Sequence, residues 1–507
     1  MAEDADLTHE AVLADVRTFV DVLEATHPAP FVGAGGRFAY YERVQSALDD
    51  VPSDGWPERG LQETVASLAA AVRDAHMFVV WPTADGTIPL RLGVVDGEIR
   101  VRSVREGVPE SLVGSRLRRV DGVPVGELIE RQARLRGSET PHGDLLNLAL
   151  SLRNWRAMAP LLDRAERPDE ATFAFEASDG TTRREPLEPT TGDGAERVAP
   201  STLERPDSEA WPTYQLLPER DAAWLRIPSM SDHREAFQYR QGDLDEHARA
   251  SARSLCRAAT GEPDPDDFDE VLDKVPAALD LFRDLADEMA TAGTSTLLVD
   301  LRDNTGGNRV LVDLLAYVLY GWDGVATARD RPGALRYSDR LVERRGTEPF
   351  EDEGREWSLR PGEYAIGGGD STVEEIRDDL VESVPTFERL EAPDWPSAGS
   401  YAPPAVVVVT AARTFSAGVS LLATLRRLGA SHVGTPPVQA PTYFGDLVSF
   451  TLPNSEITAM TATSRIETLP DGPGDVLEPD RRLTGEDFAR YDFDRDASVL
   501  LALDEYC

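Results

Sequence analysis

Two stretches of the last 220 residues share one design, and that design limits the fold more than any other feature. STLLVDLRDNTGGNRVLVDLLAYVLYG (295–321) reads as a buried strand, a glycine-containing loop and a helix. AVVVVTAARTFSAGVSLLATLRRLG (405–429) repeats the pattern, with TFSAG in the turn. Short valine- and leucine-rich runs followed by helices read as buried strands of an open α/β sheet. In such sheets functional groups collect at the carboxyl ends of the strands. If the two strands are neighbours, Gly306, Gly307 and Ser416 share one end of the sheet.

That arrangement suits acyl transfer. Ser416 opens a helix, where free N–H groups and the positive end of the helix dipole lie. The N–H of Ala417 can bind a developing oxyanion, and a glycine N–H from 306–307 can supply a second donor. The plain alternative is that Ser416 is an N-cap, a common role contributing about 1 kcal/mol to the helix, and that Gly306-Gly307 is only a turn.

The N-terminal residues differ in character. HEAVLADVRTFVDVLEATHP and LQETVASLAAAVRDAH carry apolar residues at helical spacing and predict helices. Residues 87–128 hold short β-like runs around Asp-Gly turns at 96–97 and 121–122, with a further Asp-Gly at 179–180. The expected organisation is a helical domain (1–85), a small β-rich module with a helix and a hairpin (86–190), a linker (191–214), and an α/β core (215–507) interrupted by an exposed helical insertion at about 232–292. GGGDS at 367–371 lacks the Lys-Ser/Thr of a phosphate loop and reads as an ordinary loop in a surface excursion.

Charge excludes several partners. The chain has 91 acidic against 52 basic residues, a net charge of −39, and one lysine, Lys274. Such a charge repels nucleic acid and anionic membranes. The acidic start lacks a basic n-region and an apolar h-region, so a cytoplasmic chain without a secretion signal is expected. Two cysteines, Cys256 and Cys507, follow no metal or redox spacing, and no histidine motif suggests a metal; no cofactor is expected.

Taken in order, several segments resemble the C-terminal-processing serine peptidase family, which includes tail-specific and tricorn-type proteases. These are THPAPF (26–31), VRDAHMFVV (72–80), VDLRDNTGG (299–307), TFSAG (414–418), SHVGTPP (431–437), LPNSEITAMTATS (452–464) and DVLEPDRRLT (475–484). The resemblance covers most of the chain. It implies a crotonase-like (ClpP/crotonase) catalytic core with an N-terminal helical domain, and a serine peptidase acting on peptides or unstructured protein segments. Ser416 is then the nucleophile, with Ala417 and the Gly306-Gly307 region as oxyanion donors. Processing members use a serine–lysine dyad, but VQAPTYFGD (438–446) has no lysine, and Val419 stands where the family has an acid. The tricorn-type histidine position falls near Arg226. A branch with an N-terminal Asp-x-His matches Asp74-Ala75-His76, which makes His76 the expected base. The orienting carboxylate falls within 469–480, which offers Asp471, Asp475 and Glu478; Asp475 is the choice, and Asp480 is read as structural. The competing reading is a member without catalysis that binds peptides or apolar ligands.

Dispersed acid with almost no lysine also resembles proteins of halophilic archaea, the alternative being an acidic cytosolic protein of a GC-rich genome. Self-repulsion at −39 is relieved by salt. The melting temperature should therefore rise steeply with KCl into the molar range. A melting temperature independent of KCl contradicts this.

Overall fold

A strand with no solvent-facing side must be apolar at nearly every position, and the central strands of this protein are, with Arg226, Asp300 and Thr410 at their carboxyl ends. The computed structural model describes residues 6–81, 86–105, 107–154, 157–164, 169–190, 196–198, 201–205, 211–239, 244–345, 359–367, 371–391, 402–469 and 476–507. They form two compact units. One comprises 1–199, 332–367 and 438–467; the other comprises 200–331, 368–437 and 468–507.

The second unit holds a six-stranded sheet: β1 (Thr213–Leu217), β2 (Ala222–Arg226), β3 (Thr296–Asp300), β4 (Ala405–Thr410), β5 (Ser431–Gly434) and β6 (Arg481–Arg482), side by side in chain order. β1 is antiparallel to β2, and β2 to β6 run parallel. The two strands singled out in the sequence pair directly, with Thr296 opposite Ala405 and Asp300 opposite Val409. All residues of β2 and β3 are buried.

Four helices cover this sheet: α1 (Ala278–Ala292), α2 (Val310–Arg329), α3 (Ala417–Arg427) and α4 (Ala497–Tyr506). Ala223, Leu225, Leu297, Val299, Val406 and Val408 form one core with apolar residues of α1, α2 and α3. α4 packs against β3, β4 and β5. α1 ends the segment read as an exposed insertion, yet Leu279, Phe282, Leu285 and Met289 lie in the core. Their three- and four-residue spacing puts them on one helix face. α2 is long and apolar enough to cross a membrane, and most of that length is buried in the core.

The surface excursion expected around GGGDS is also partly internal. Helix Val373–Ser383, opened by a Thr372–Glu375 capping box, contributes Ile376 and Leu380 to the same core. Gly367 ends a short strand, while 368–370 and 392–395 lie outside the described residues.

In the first unit, Val16 and Phe19 of helix His9–Thr26, Tyr40 and Val44 of helix Arg37–Asp49, and Leu61 and Val65 of helix Glu58–Ala70 share one core with Phe450 and Ala459. Residues 442–451 and 458–467 form a long antiparallel pair, and Phe78–Val79 adds to its edge. A seven-stranded sheet spans 90–198. Two of its tight turns use both residues of the dipeptide in the left-handed region, with φ of 56° and 69° at Asp96-Gly97 and 46° and 83° at Asp121-Gly122, while at Asp179-Gly180 only the glycine does, at 80°. Positive φ at both residues is the turn geometry that matches the twist of two paired strands.

Candidate active site

At the ends of β3 and β4 two loops meet, and one buried amide joins them. Asn304 is fully buried. Its Nδ2 donates to the Ile227 carbonyl just beyond β2 (3.0 Å), and its Oδ1 accepts the N–H of Gly306 (2.9 Å). Its backbone carbonyl accepts the N–H of Phe415 at 3.0 Å. Below it, the Thr414 hydroxyl donates to the Leu301 carbonyl at 2.7 Å, and Leu301 N–H donates to Val409. The turn before α3 is therefore tied to the glycine loop at several heights.

These ties hold Ser416 in an unusual backbone conformation, φ 54° and ψ −121°. A side chain with a Cβ rarely takes such angles, and the strain persists only where the surroundings impose it. The Ser416 side chain makes no capping hydrogen bond to α3, so the N-cap reading does not describe it. The N–H of Ala417 opens the helix beside it.

Gly306 faces this turn at close range. Its φ is +94°, and a methyl group on it would lie 2.5 Å from Ser416 Cβ, 3.0 Å from the Phe415 carbonyl and 3.2 Å from Ala417 N. Only glycine fits there. Gly418 approaches Asn304 in the same way, with Oδ1 2.6 Å from where its Cβ would stand. The two expected glycines are not equivalent. The Gly306 N–H is already given to Asn304 Oδ1, whereas Gly307 is the next N–H along the loop. Gly307, at φ +128°, lies against Ser231, whose hydroxyl also accepts the N–H of Asn308 (3.1 Å).

His76 belongs to the first unit, in the turn between helix Glu58–Ala70 and strand Phe78–Val79. Asp74 Oδ1 accepts the His76 backbone N–H at 2.8 Å and lies 3.8 Å from its ring Nδ1. Asp74 Oδ2 lies 3.1 Å from His27 Nε2. His27 Nδ1 accepts the N–H of Ala29, so its proton sits on Nε2 and is donated to Asp74. The Tyr443 ring stacks on His76 at 6.0 Å. Burial lowers the His76 pKa to about 4; Asp74 pulls it up, and Arg136 and His27 push it further down. The imidazole is thus neutral at pH 7, the form that accepts a proton.

One further acid faces this group. Glu139 has its carboxyl beside Asp74, and side-chain atoms of Asp74, His76 and Glu139 lie within 4.8 Å of one another. Such spacing also fits a small cation. However, Asp74 already accepts hydrogen bonds from His27 and His76, and the Arg136 guanidinium acts on the same carboxylate, which opposes added positive charge. Burial, then the charge of Asp74, raises the Glu139 pKa to about 8, against the weaker pull of backbone N–H groups at Glu139 and Ala75. Both causes favour its acid form.

The other candidates are placed as follows. Asp471 and Asp475 lie outside the described residues. Glu478 forms an exposed ion pair with Arg482, and Asp480 accepts the backbone N–H of His432 at 2.8 Å. Arg226 pairs with Asp303 at 3.3 Å. Asn304 and Glu139 escaped the sequence reading. A buried polar residue inside an apolar strand–loop–helix pattern was the available signal for Asn304. Glu139 stands among RLRGSET with no periodicity to mark it.

No protein-family model and no curated protein sequence matches this chain. Solved structures do. Mature CPAF complexed with lactacystin has 16% identity and a TM-score of 0.57, covering 98% of this chain and 99% of that one. Mature CPAF in another structure gives 16% and 0.55 over the same shares. A photosystem II D1 C-terminal processing protease aligns over 94% of both chains, at 14% identity and a TM-score of 0.42. This protein has the mixed α/β fold of mature CPAF.

The close approach at Gly306 can be measured without reference to activity. Gly306→Ala meets both the backbone penalty and the steric one, whereas Gly429→Ala, at φ +97° with nothing within 4 Å, meets only the first. Gly306→Ala should unfold at lower denaturant, losing about 1–3 kcal/mol more than Gly429→Ala, the usual cost of overpacking. Equal losses contradict the contact.

Proposed function

We propose that this protein is a serine peptidase of the C-terminal-processing kind, with Ser416 as nucleophile and a crotonase-like core. The observation that carries the reading is the Ser416 turn: strained, uncapped, at the N-terminus of α3, and backed by a glycine that has no room for a methyl group. A serine that merely ended a strand would need none of this. The order of motifs along the chain and the CPAF fold support the same reading.

In this account Ser416 Oγ attacks the peptide carbonyl and loses its proton to His76. The tetrahedral oxyanion is held by the N–H groups of Ala417 and Gly307. The imidazolium then gives its proton to the leaving amine, and water repeats the sequence on the acyl-enzyme. Substrates are peptides or unstructured segments of proteins, since an extended backbone exposes the carbonyl. Assignment of His76 rests on the Asp-x-His resemblance and on its neutral, buried imidazole. Asp475 keeps its place as the expected orienting carboxylate.

Hydrolysis of an unfolded protein substrate in molar KCl is the test. Ser416→Ala should lose at least about 1,000-fold in kcat/KM, as loss of a nucleophile does, and His76→Gln a similar amount, both with native melting temperatures. Activity of the native protein should fall on acidification only as pH approaches the low pKa of His76, because a protonated imidazole cannot take the serine proton. Unchanged hydrolysis in Ser416→Ala rejects the reading. Peptide binding without hydrolysis in the native protein favours the non-catalytic alternative.

A further inference from the structure

The loop that carries Glu139 is built to stay in place. Thr140 caps the helix Pro141–Ser151 through Gly143, and its hydroxyl donates to the Val438 carbonyl at 2.7 Å. Ser138 Oγ donates to the Thr140 carbonyl (3.0 Å), and Asn147 bonds the Gly137 carbonyl (3.4 Å). Gly137 approaches so closely that a Cβ on it would stand 2.6 Å from the Ala70 carbonyl and 3.2 Å from Arg73 Cα. This pins residues 137–140 directly onto the segment that leads into Asp74 and His76.

At that contact two carboxyl groups meet. Neither Glu139 oxygen is paired with a donor side chain; the group facing them is Asp74. Two carboxyls attract one another only when one holds a proton. Asp74 already accepts the His27 Nε2–H and the His76 N–H. It is therefore the ionised member, and Glu139 is the acid.

We propose that Glu139 is a positioning residue for the base: its O–H donates to the Asp74 carboxylate and fixes that carboxylate against the backbone and ring of His76. Asp74 then has three donors on three separate segments, and its Oδ1 is held 3.8 Å from the ring nitrogen whose charge it must offset when His76 takes a proton. The groups facing Glu139 and its partners are Asp74, His76, His27 and Arg136. Of these, Glu139 is the one poised to change charge on the alkaline side of neutrality. Losing its proton would break the bond and set two like charges side by side, moving Asp74 away from His76.

The role of Glu139 in catalysis rests on the reading of His76 as base; the bond itself does not. The test uses the full chain with Glu139→Gln, which keeps a donor and cannot ionise, and Glu139→Ala, which has none. One measurement is the ring nitrogen shifts of His76 by NMR from pH 5 to 10, the resonance being assigned by its absence in His76→Gln. The native protein should show an alkaline inflection that Glu139→Gln abolishes. The other is the rate of Ser416 labelling by a fluorophosphonate. Glu139→Gln should label at close to the native rate with a flat alkaline limb, and Glu139→Ala about 100-fold more slowly, the scale of loss expected from a small misplacement. Native labelling in Glu139→Ala, with an identical His76 profile in native and Glu139→Gln, overturns the proposal while leaving the peptidase intact. If the native protein does not label, the peptidase reading fails and the His76 profile alone decides on Glu139. A stoichiometric divalent cation released by Glu139→Gln would also overturn it.

Discussion

The Asn304 amide is the interaction on which the Ser416 turn depends. It is fully buried, and its two ends are both used, one on the carbonyl after β2 and one on the Gly306 N–H. A buried amide left half-satisfied costs about 1–3 kcal/mol per missing bond, so the loop has one good arrangement. That arrangement sets Gly306 against Ser416, sets Asn304 Oδ1 against Gly418, and takes the N–H of Phe415. The strain at Ser416 is held by this network and by the pairing of β3 with β4 beneath it.

Electrostatics works differently in the two units. In the second, the buried acids at the ends of β3 and α4 are met by arginines with planar, two-pronged contacts. Arg302 bonds both oxygens of Asp300 and reaches Asp496, which also takes Arg205. This holds the Asp496 carboxyl well below the usual carboxylate range: burial alone would raise it, and Arg302 and Arg205 outweigh that. A chain with a single lysine has only arginine for this work, and arginine is better suited to it. In the first unit the solution around His76 is neutralisation. Burial pushes His76 toward its neutral form and Glu139 toward its acid form, and the Arg136 guanidinium lies where the Asp74 carboxylate acts on it. The neutral imidazole is the state that base catalysis requires.

Some of this was legible in the sequence for physical reasons. Strands β3 and β4 are apolar at nearly every position, and a doubly covered strand has no other way to read. Asp-Gly at 96–97 and 121–122 marks turns because both residues tolerate positive φ. Asp74 and His76 lie two residues apart, and their contact is local. Other features have no local signature. α1 follows a charged, proline-broken stretch, GEPDPDD, that hides its membership of the core. Residues 332–367 and 438–467 fall in the middle of the segment read as one α/β core, yet they cluster with the N-terminal unit through long-range strand pairing. Glu139 meets Asp74 across more than sixty residues, and only folding brings them together. The division of labour between Gly306 and Gly307 depends on where Asn304 points, which composition cannot tell.

The central claim is that the strained turn at Ser416 makes an activated nucleophile. The most direct measurement is intact-mass and peptide-mapping spectrometry of the native protein after reaction with a fluorophosphonate in molar KCl. The account predicts one adduct per chain, on Ser416. No adduct, or an adduct on a different serine with Ser416 unmodified, would contradict it.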